Sequence, residues 1–156
     1  MSRYVATIAW SRKPDETFLD GRYSRAHRWS FDGGAQVPAS SSPTVVRVPF
    51  SDPAGVDPEE ALVASLSSCH MLFFLDFAKR AGFVVDGYED AAEGVIEKGA
   101  DGRTRMTQVA LRPRISYSGA KRPSAAEIAA LHHKAHEACY IANSVTAEVT
   151  VESPAE

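Results

Sequence analysis

The sequence predicts an α+β fold, and three observations carry that reading. Two stretches open with strong helix-start signals. The segments before, between and after them alternate apolar and polar residues as strands do. The resulting order of β, β, β, long α, β, β, α, β is not the strict alternation that builds a parallel βαβ wheel. The 156 residues suit a single domain spanning 1–156.

Residues 3–10 (RYVATIAW) alternate as a first strand, and Pro14, Asp20 and Gly21 mark 11–21 as a loop. Residues 22–31 (RYSRAHRWSF) alternate more clearly, with Tyr23, Arg25, His27, Trp29 and Phe31 on one face and Ser24, Ala26, Arg28 and Ser30 on the other. Asp32-Gly33-Gly34 turns the chain, and 35–48 is expected to be extended. Pro53 and Gly55 place a turn in 51–57. A long helix then starts with Asp57 as N-cap, Pro58 at the first helical position, and Glu59 and Glu60 in the first turn. Glu60 stands three residues after Asp57, where a capping-box acid belongs. The helix runs to about Ala81, with Lys79 and Arg80 in its last turn and Gly82 as the terminating glycine. Its middle is apolar nearly all round, which marks it as a central, buried helix. Residues 83–97 and 104–118 read as strands joined around Gly99 to Gly102, with Pro113 signalling an edge or a bulge. Ser124 caps a second helix that reaches about Tyr140, and 144–152 (SVTAEVTVE) alternate as a final strand.

Composition narrows the function. Hydrophobic residues are 44%, charged residues 24%, and the net charge is −3, which argues against a nucleic-acid partner. No unbroken apolar run approaches the roughly 18 residues that span a bilayer. The N-terminal MSRYVATIAWSRKPDE lacks the cleavage pattern of a secretory signal. The expectation is a cytoplasmic protein without a membrane partner. Two cysteines in a reducing compartment are then inert, metal-binding or redox-active rather than a structural staple.

Cys69 lies mid-helix on a side that also reads Leu62, Leu66, Phe73 and Asp76. Cys139 ends the second helix and shares a broad face with Ile128, Leu131, His132, Ala135 and His136. If the two helices pack together, the sulfurs meet. Spacing alone leaves three readings open. The cysteines are unrelated core residues; or His132, His136 and Cys139, with Cys69 as a fourth ligand, hold zinc; or the thiols form a redox pair.

Two motifs, in order, resemble the OsmC/Ohr family of thiol peroxidases. DPEEALVASLSSCHMLFFL (57–75) is similar to its central helix, where an Asn/Asp-Pro-Glu motif precedes a helical cysteine by ten residues, as Glu59 precedes Cys69. LHHKAHEACYIANS (131–144) is similar to its second cysteine helix. The chain departs from typical members in having Cys139-Tyr140 instead of Cys-Pro, and His70 beside Cys69. It is closer to an OsmC-like subgroup with CHM and C-[YF]-IANS.

The resemblance implies an OsmC-like fold, with antiparallel sheets wrapped around the central helix and an intertwined homodimer. It implies a thiol-dependent peroxidase that reduces organic hydroperoxides or H2O2; no haem, flavin or metal motif appears in the sequence, so no cofactor or metal is expected. Cys69 would be the peroxidatic nucleophile and Cys139 the resolving thiol, and a dithiol, protein-bound lipoyl in the Ohr branch, would reopen their disulfide. The nucleophile must be a thiolate, and an apolar helix disfavours that ion, so a cation is needed. The family takes it from an arginine of the N-terminal strands held by the motif glutamate. Here the glutamate is Glu59 and the arginine is Arg22, Arg25 or Arg28. Alternation favours Arg25, and Arg28 takes its place if the strand faces are reversed. The alternative is a non-peroxidase OsmC-like module that binds zinc or a small ligand through its His/Cys helix. His70 and His27 read as satisfied buried histidines. Phe73, Phe74, Tyr23 and Trp29 read as core residues that also suit the wall of an apolar pocket.

Overall fold

A computed structural model describes residues 1–152. By its contacts the chain divides into two compact units, Met1–Ala61 and Leu62–Glu156, with the boundary inside the long helix.

The first unit is built on an antiparallel sheet in the order β1 (Ala6–Ala9), β2 (His27–Phe31), β3 (Gln36–Ala39). Ile8 stands opposite Trp29, and Trp29 opposite Val37. The expected turn after β2 is present. Gly34 takes a φ of +86°, which a glycine adopts without the Cβ clash that other residues meet. β2 is shorter than its alternation predicts. Residues 22–26 leave the ladder because the Arg25 N–H donates to the Phe50 carbonyl at 2.8 Å. The extended stretch expected over 35–48 ends at Ala39. From there Ser40 donates to the Val56 carbonyl at 3.1 Å and Val56 donates to the Pro38 carbonyl at 3.0 Å. Gly55 permits this approach, since a Cβ there would lie 2.9 Å from the Ala39 carbonyl carbon.

Helix α1 (Pro58–Arg80) starts where its cap predicts. The Asp57 carboxylate accepts the Glu60 N–H at 2.8 Å, and the Glu60 carboxylate accepts the Asp57 N–H at 3.3 Å. It ends at Gly82, at φ +81°, with the Phe83 N–H closing onto the Ala78 carbonyl at 3.0 Å. By length and composition α1 is long and apolar enough to cross a membrane. The absence of an unbroken apolar run does not prevent this, because scattered serines dilute the helix only slightly. Its buried stripe is Leu66, His70, Phe74 and Ala78, a run of four-residue steps along one face. Cys69 sits on the flank of that stripe and is half-buried.

In the second unit, β4 (Val84–Asp90) pairs antiparallel with β7 (Pro113–Ser118). β5 (Glu93–Lys98) pairs antiparallel with β6 (Thr104–Leu111), and β8 (Glu148–Val151) lies parallel to β6. The expected strands 83–97 and 104–118 are therefore each broken once. Both breaks fall at one level, because Asp90 stands opposite Pro113 and Glu93 opposite Ala110. The Asp90 carboxylate accepts the Arg112 N–H at 2.6 Å and the Ser67 hydroxyl. The sheets are antiparallel as expected, with β8 the one parallel neighbour among the described strands. A parallel neighbour needs a crossover, and α2 (Ala125–Ala138) with the short 3₁₀ helix (Ala142–Ser144) supplies it. Ser124 and Glu127 complete a second capping box at the start of α2.

Two apolar clusters form the core of this unit. One joins Phe74 and Ala78 to Phe83, Leu131 and Ala135, and the other joins Leu66 to Val109 and Leu111.

Candidate active site

Cys69 and Cys139 are both free thiols, and they neighbour one another. Cys139 is fully buried at the C-cap of α2, where its N–H donates to the His136 carbonyl at 3.3 Å. Its sulfur accepts the Ala142 N–H at 3.3 Å, and its carbonyl accepts the Asn143 N–H at 3.0 Å. The turn is fastened further by the Ser144 hydroxyl, which donates to the Tyr140 carbonyl at 2.7 Å. Burial is the main force that pushes the Cys139 thiol up to about 11, and the Cys69 thiol adds to it as hydrogen-bond partner and neighbouring charge. The Ala142 and Ile141 N–H groups pull the other way. Cys139 is thus a protonated, sheltered thiol beside a more accessible one. The Cys69 flank is apolar: Phe73 packs edge-on to Tyr140 at 5.2 Å and stacks on Phe77 at 6.3 Å.

The histidines of the two helices do not assemble as metal ligands. Among the described residues no three His, Cys, Asp or Glu side chains converge on one point. The zinc reading built on His132, His136, Cys139 and Cys69 therefore lacks its ligand set. Its best donor is engaged elsewhere: His132 Nδ1 lies 3.0 Å from His70 Nε2, and the His132 ring stacks on Phe74 at 4.4 Å. Both rings are buried, and burial drives each of them down to about 4. The neighbouring His132 and His136 depress His70 further, whereas Asp90 pulls His132 back up. Both are neutral at pH 7, which agrees with His70 as a satisfied buried histidine. The partner His132 was not foreseeable from spacing.

In the first unit, Ile8, Trp10, Phe18, Tyr23, Arg25, His27 and Glu59 line a cavity of about 480 Å³. Tyr23 stacks on Phe18 at 4.7 Å and meets Trp10 edge-on at 5.3 Å. Of the three arginines, only Arg25 lines the cavity. Arg22 is exposed beside Asp20 at 3.9 Å, and Arg28 is exposed opposite Pro38 on β3. The side of β2 that alternation chose for Arg25 is therefore the cavity side. The expected Arg25–Glu59 ion pair, in contrast, is not formed. Arg25 Nη1 donates instead to the Gly21 carbonyl at 2.7 Å and to the Tyr23 carbonyl, with the guanidinium 3.7 Å from the centre of the Tyr23 ring. Gly21, at φ +76°, curls the loop so that its own carbonyls reach the guanidinium first. Glu59 faces the same cavity. Trp10 and Phe18 were missed as lining residues, because the first lies at a strand end and the second in a loop.

The chain matches the OsmC-like protein family over residues 51–153. No curated protein matches it significantly. Among solved structures, an OsmC-like protein of unknown function from Vibrio cholerae is 50% identical, covers 98% of this chain and 99% of its own, and superposes with a TM-score of 0.96. The fold also matches the organic hydroperoxide resistance protein OhrB of Bacillus subtilis at 17% identity, with coverage of 97% and 98% and a TM-score of 0.66. An organic hydroperoxide resistance protein OsmC from Legionella pneumophila matches at 16% identity, with coverage of 98% and 96% and a TM-score of 0.68. A family match over two-thirds of the sequence, and a half-identical relative that superposes end to end, leave no ambiguity: the chain belongs to the OsmC-like family.

Proposed function

We propose that the protein is a thiol-dependent peroxidase that reduces organic hydroperoxides through Cys69 and Cys139. The observation that carries this reading is the pair of neighbouring free thiols, one half-buried and one fully buried and protonated, on two helices of an OsmC-like chain. The Cys69 thiolate attacks the terminal peroxide oxygen. The O–O bond breaks, the departing alkoxide takes a proton to become ROH, and Cys69 is left as a sulfenic acid. The Cys139 thiol then condenses with it, forming the disulfide and releasing water. A dithiol, of which lipoyl is one kind, returns both cysteines to thiols and is itself oxidised to a disulfide. Arg25 serves as the activating cation and Glu59 as the acid that orients it once substrate enters. Their shared cavity supports this assignment.

The working form is a homodimer of one-domain chains, 1–156, in the cytoplasm. Support for the dimer comes from the large exposed side chains of the first unit, which include Val5, Ile8, Phe18 and Leu19.

The test is turnover of cumene hydroperoxide with a dithiol. Wild type consumes peroxide and Cys69→Ser does not; equal rates reject the assignment. After one equivalent of peroxide, mass spectrometry of the wild type finds an intramolecular Cys69–Cys139 bridge. Exclusively intermolecular adducts reject Cys139 as resolver.

A further inference from the structure

Two hydrogen bonds on β2 remain without a role in this chemistry. Trp29 Nε1 lies 2.9 Å from His27 Nε2, and His27 Nδ1 lies 2.8 Å from the Arg25 carbonyl oxygen. An indole N–H only donates and a carbonyl oxygen only accepts, so together they fix the tautomer. His27 must present a bare Nε2 to Trp29 and an Nδ1–H to Arg25. A neutral imidazole does both at once, and neither its other tautomer nor the imidazolium can. The three residues occupy alternate positions, His27 and Trp29 on β2 and Arg25 just before it, and Arg25 and His27 both line the cavity.

From this chain of contacts we infer that His27 is a positioning residue for Arg25. The backbone of Arg25 is held at both ends: its N–H donates to the Phe50 carbonyl at 2.8 Å, and its C=O accepts from His27. The guanidinium is held by the Gly21 and Tyr23 carbonyls and the Tyr23 ring. β2 begins only at His27, so Arg25 lies outside the ladder and takes no orientation from the sheet. The His27 bond connects it to the strand, and Trp29 keeps the imidazole in the required tautomer. The charged groups that share the cavity with the imidazole are Arg25 and Glu59.

The inference rests on the reading of Arg25 as the activator of Cys69, and the test separates the two. Alkylation of Cys69 by iodoacetamide is followed across pH in wild type, Arg25→Met, His27→Leu and His27→Asn. The reagent is small, so the readout does not depend on how a bulky peroxide fits the cavity. Asn places an amide N–H where Nδ1–H stands and can restore the bond to Arg25.

The expected result is that Arg25→Met and His27→Leu both slow alkylation near neutral pH, His27→Leu by about tenfold. His27→Asn returns to within about threefold of wild type. If Arg25→Met slows the reaction but His27→Leu does not, the inference fails and the peroxidase reading stands. If Arg25→Met changes nothing, the activator reading fails and takes the inference with it. Nitrogen-15 NMR of the full chain gives a check free of activity. The neutral His27 ring carries its proton on Nδ1; an Nε2–H tautomer overturns the proposal.

Discussion

Acid should destabilise this protein steeply, and the buried His70–His132 pair should account for much of the slope. His70 is 1% exposed and His132 is 8% exposed, and the rings share a 3.0 Å hydrogen bond. Each is driven to about 4 in the folded chain, against the 6.5 of a free imidazole. Below about pH 6.5 the unfolded chain binds protons that the folded chain refuses. Stability therefore rises with pH across this window: it is fully present above about pH 6.5 and falls as the pH drops toward about 4. Integrated from about pH 7.5 to about pH 5, the loss is about 2 kcal/mol for each ring and about 4 kcal/mol for the pair. The assay is urea unfolding at those two pH values for wild type and for the double variant His70→Leu/His132→Leu. Replacing both partners removes the hydrogen bond without stranding a polar group. Other titrating groups remain in both proteins, so the difference between the two pH profiles isolates the pair. Wild type should lose about 4 kcal/mol more than the variant. Parallel profiles would refute the reasoning. So would a proton NMR titration in which either ring of the folded wild type turns over near 6.5.

Further expectations concern single contacts. Leu66 is fully buried in its cluster, so Leu66→Ala should cost about 2–5 kcal/mol in urea unfolding. Ser124→Ala removes half of the second capping box and should cost about 1 kcal/mol, read as a lower Tm. Gly55→Ala would set a Cβ 2.9 Å from one backbone carbon and 3.0 Å from the Ser40 nitrogen, neither of which is the end of a flexible side chain. It should cost about 1–3 kcal/mol. At about pH 8 a limiting alkylating agent should label Cys69 and spare Cys139, whose thiol is buried and pushed up to about 11. Peptide mapping that finds Cys139 labelled first would contradict its sheltered position.

Helix boundaries were legible in the sequence because they are written locally. Asp57 with Glu60, Ser124 with Glu127, and Gly82 each act within a few residues of their own position. The strand breaks were not, because they depend on Asp90 meeting Ser67 and Arg112, each more than twenty residues away. Nor did the sequence reveal which side of α1 is buried. A helix apolar nearly all round has no phase to read, and the structure turned His70 inward and left Cys69 on the flank. At the candidate site, alternation alone put Arg25 and His27 on one side of the chain, and both line the cavity. What it could not supply was the loop at Gly21, whose carbonyls claim the guanidinium before Glu59 can. The parallel seat of β8 was equally hidden, since direction within a sheet is set by the path of the crossover and not by the strand.

The two broken strands make the ribbon from β4 to β7 a single long hairpin creased halfway, with one carboxylate at the crease. Asp90 grips the returning arm through the Arg112 N–H and the long helix through Ser67. Its two leaves consequently share a fulcrum. One side chain therefore ties both leaves of the ribbon to the turn of α1 that precedes Cys69, and losing Asp90 would release the two contacts together.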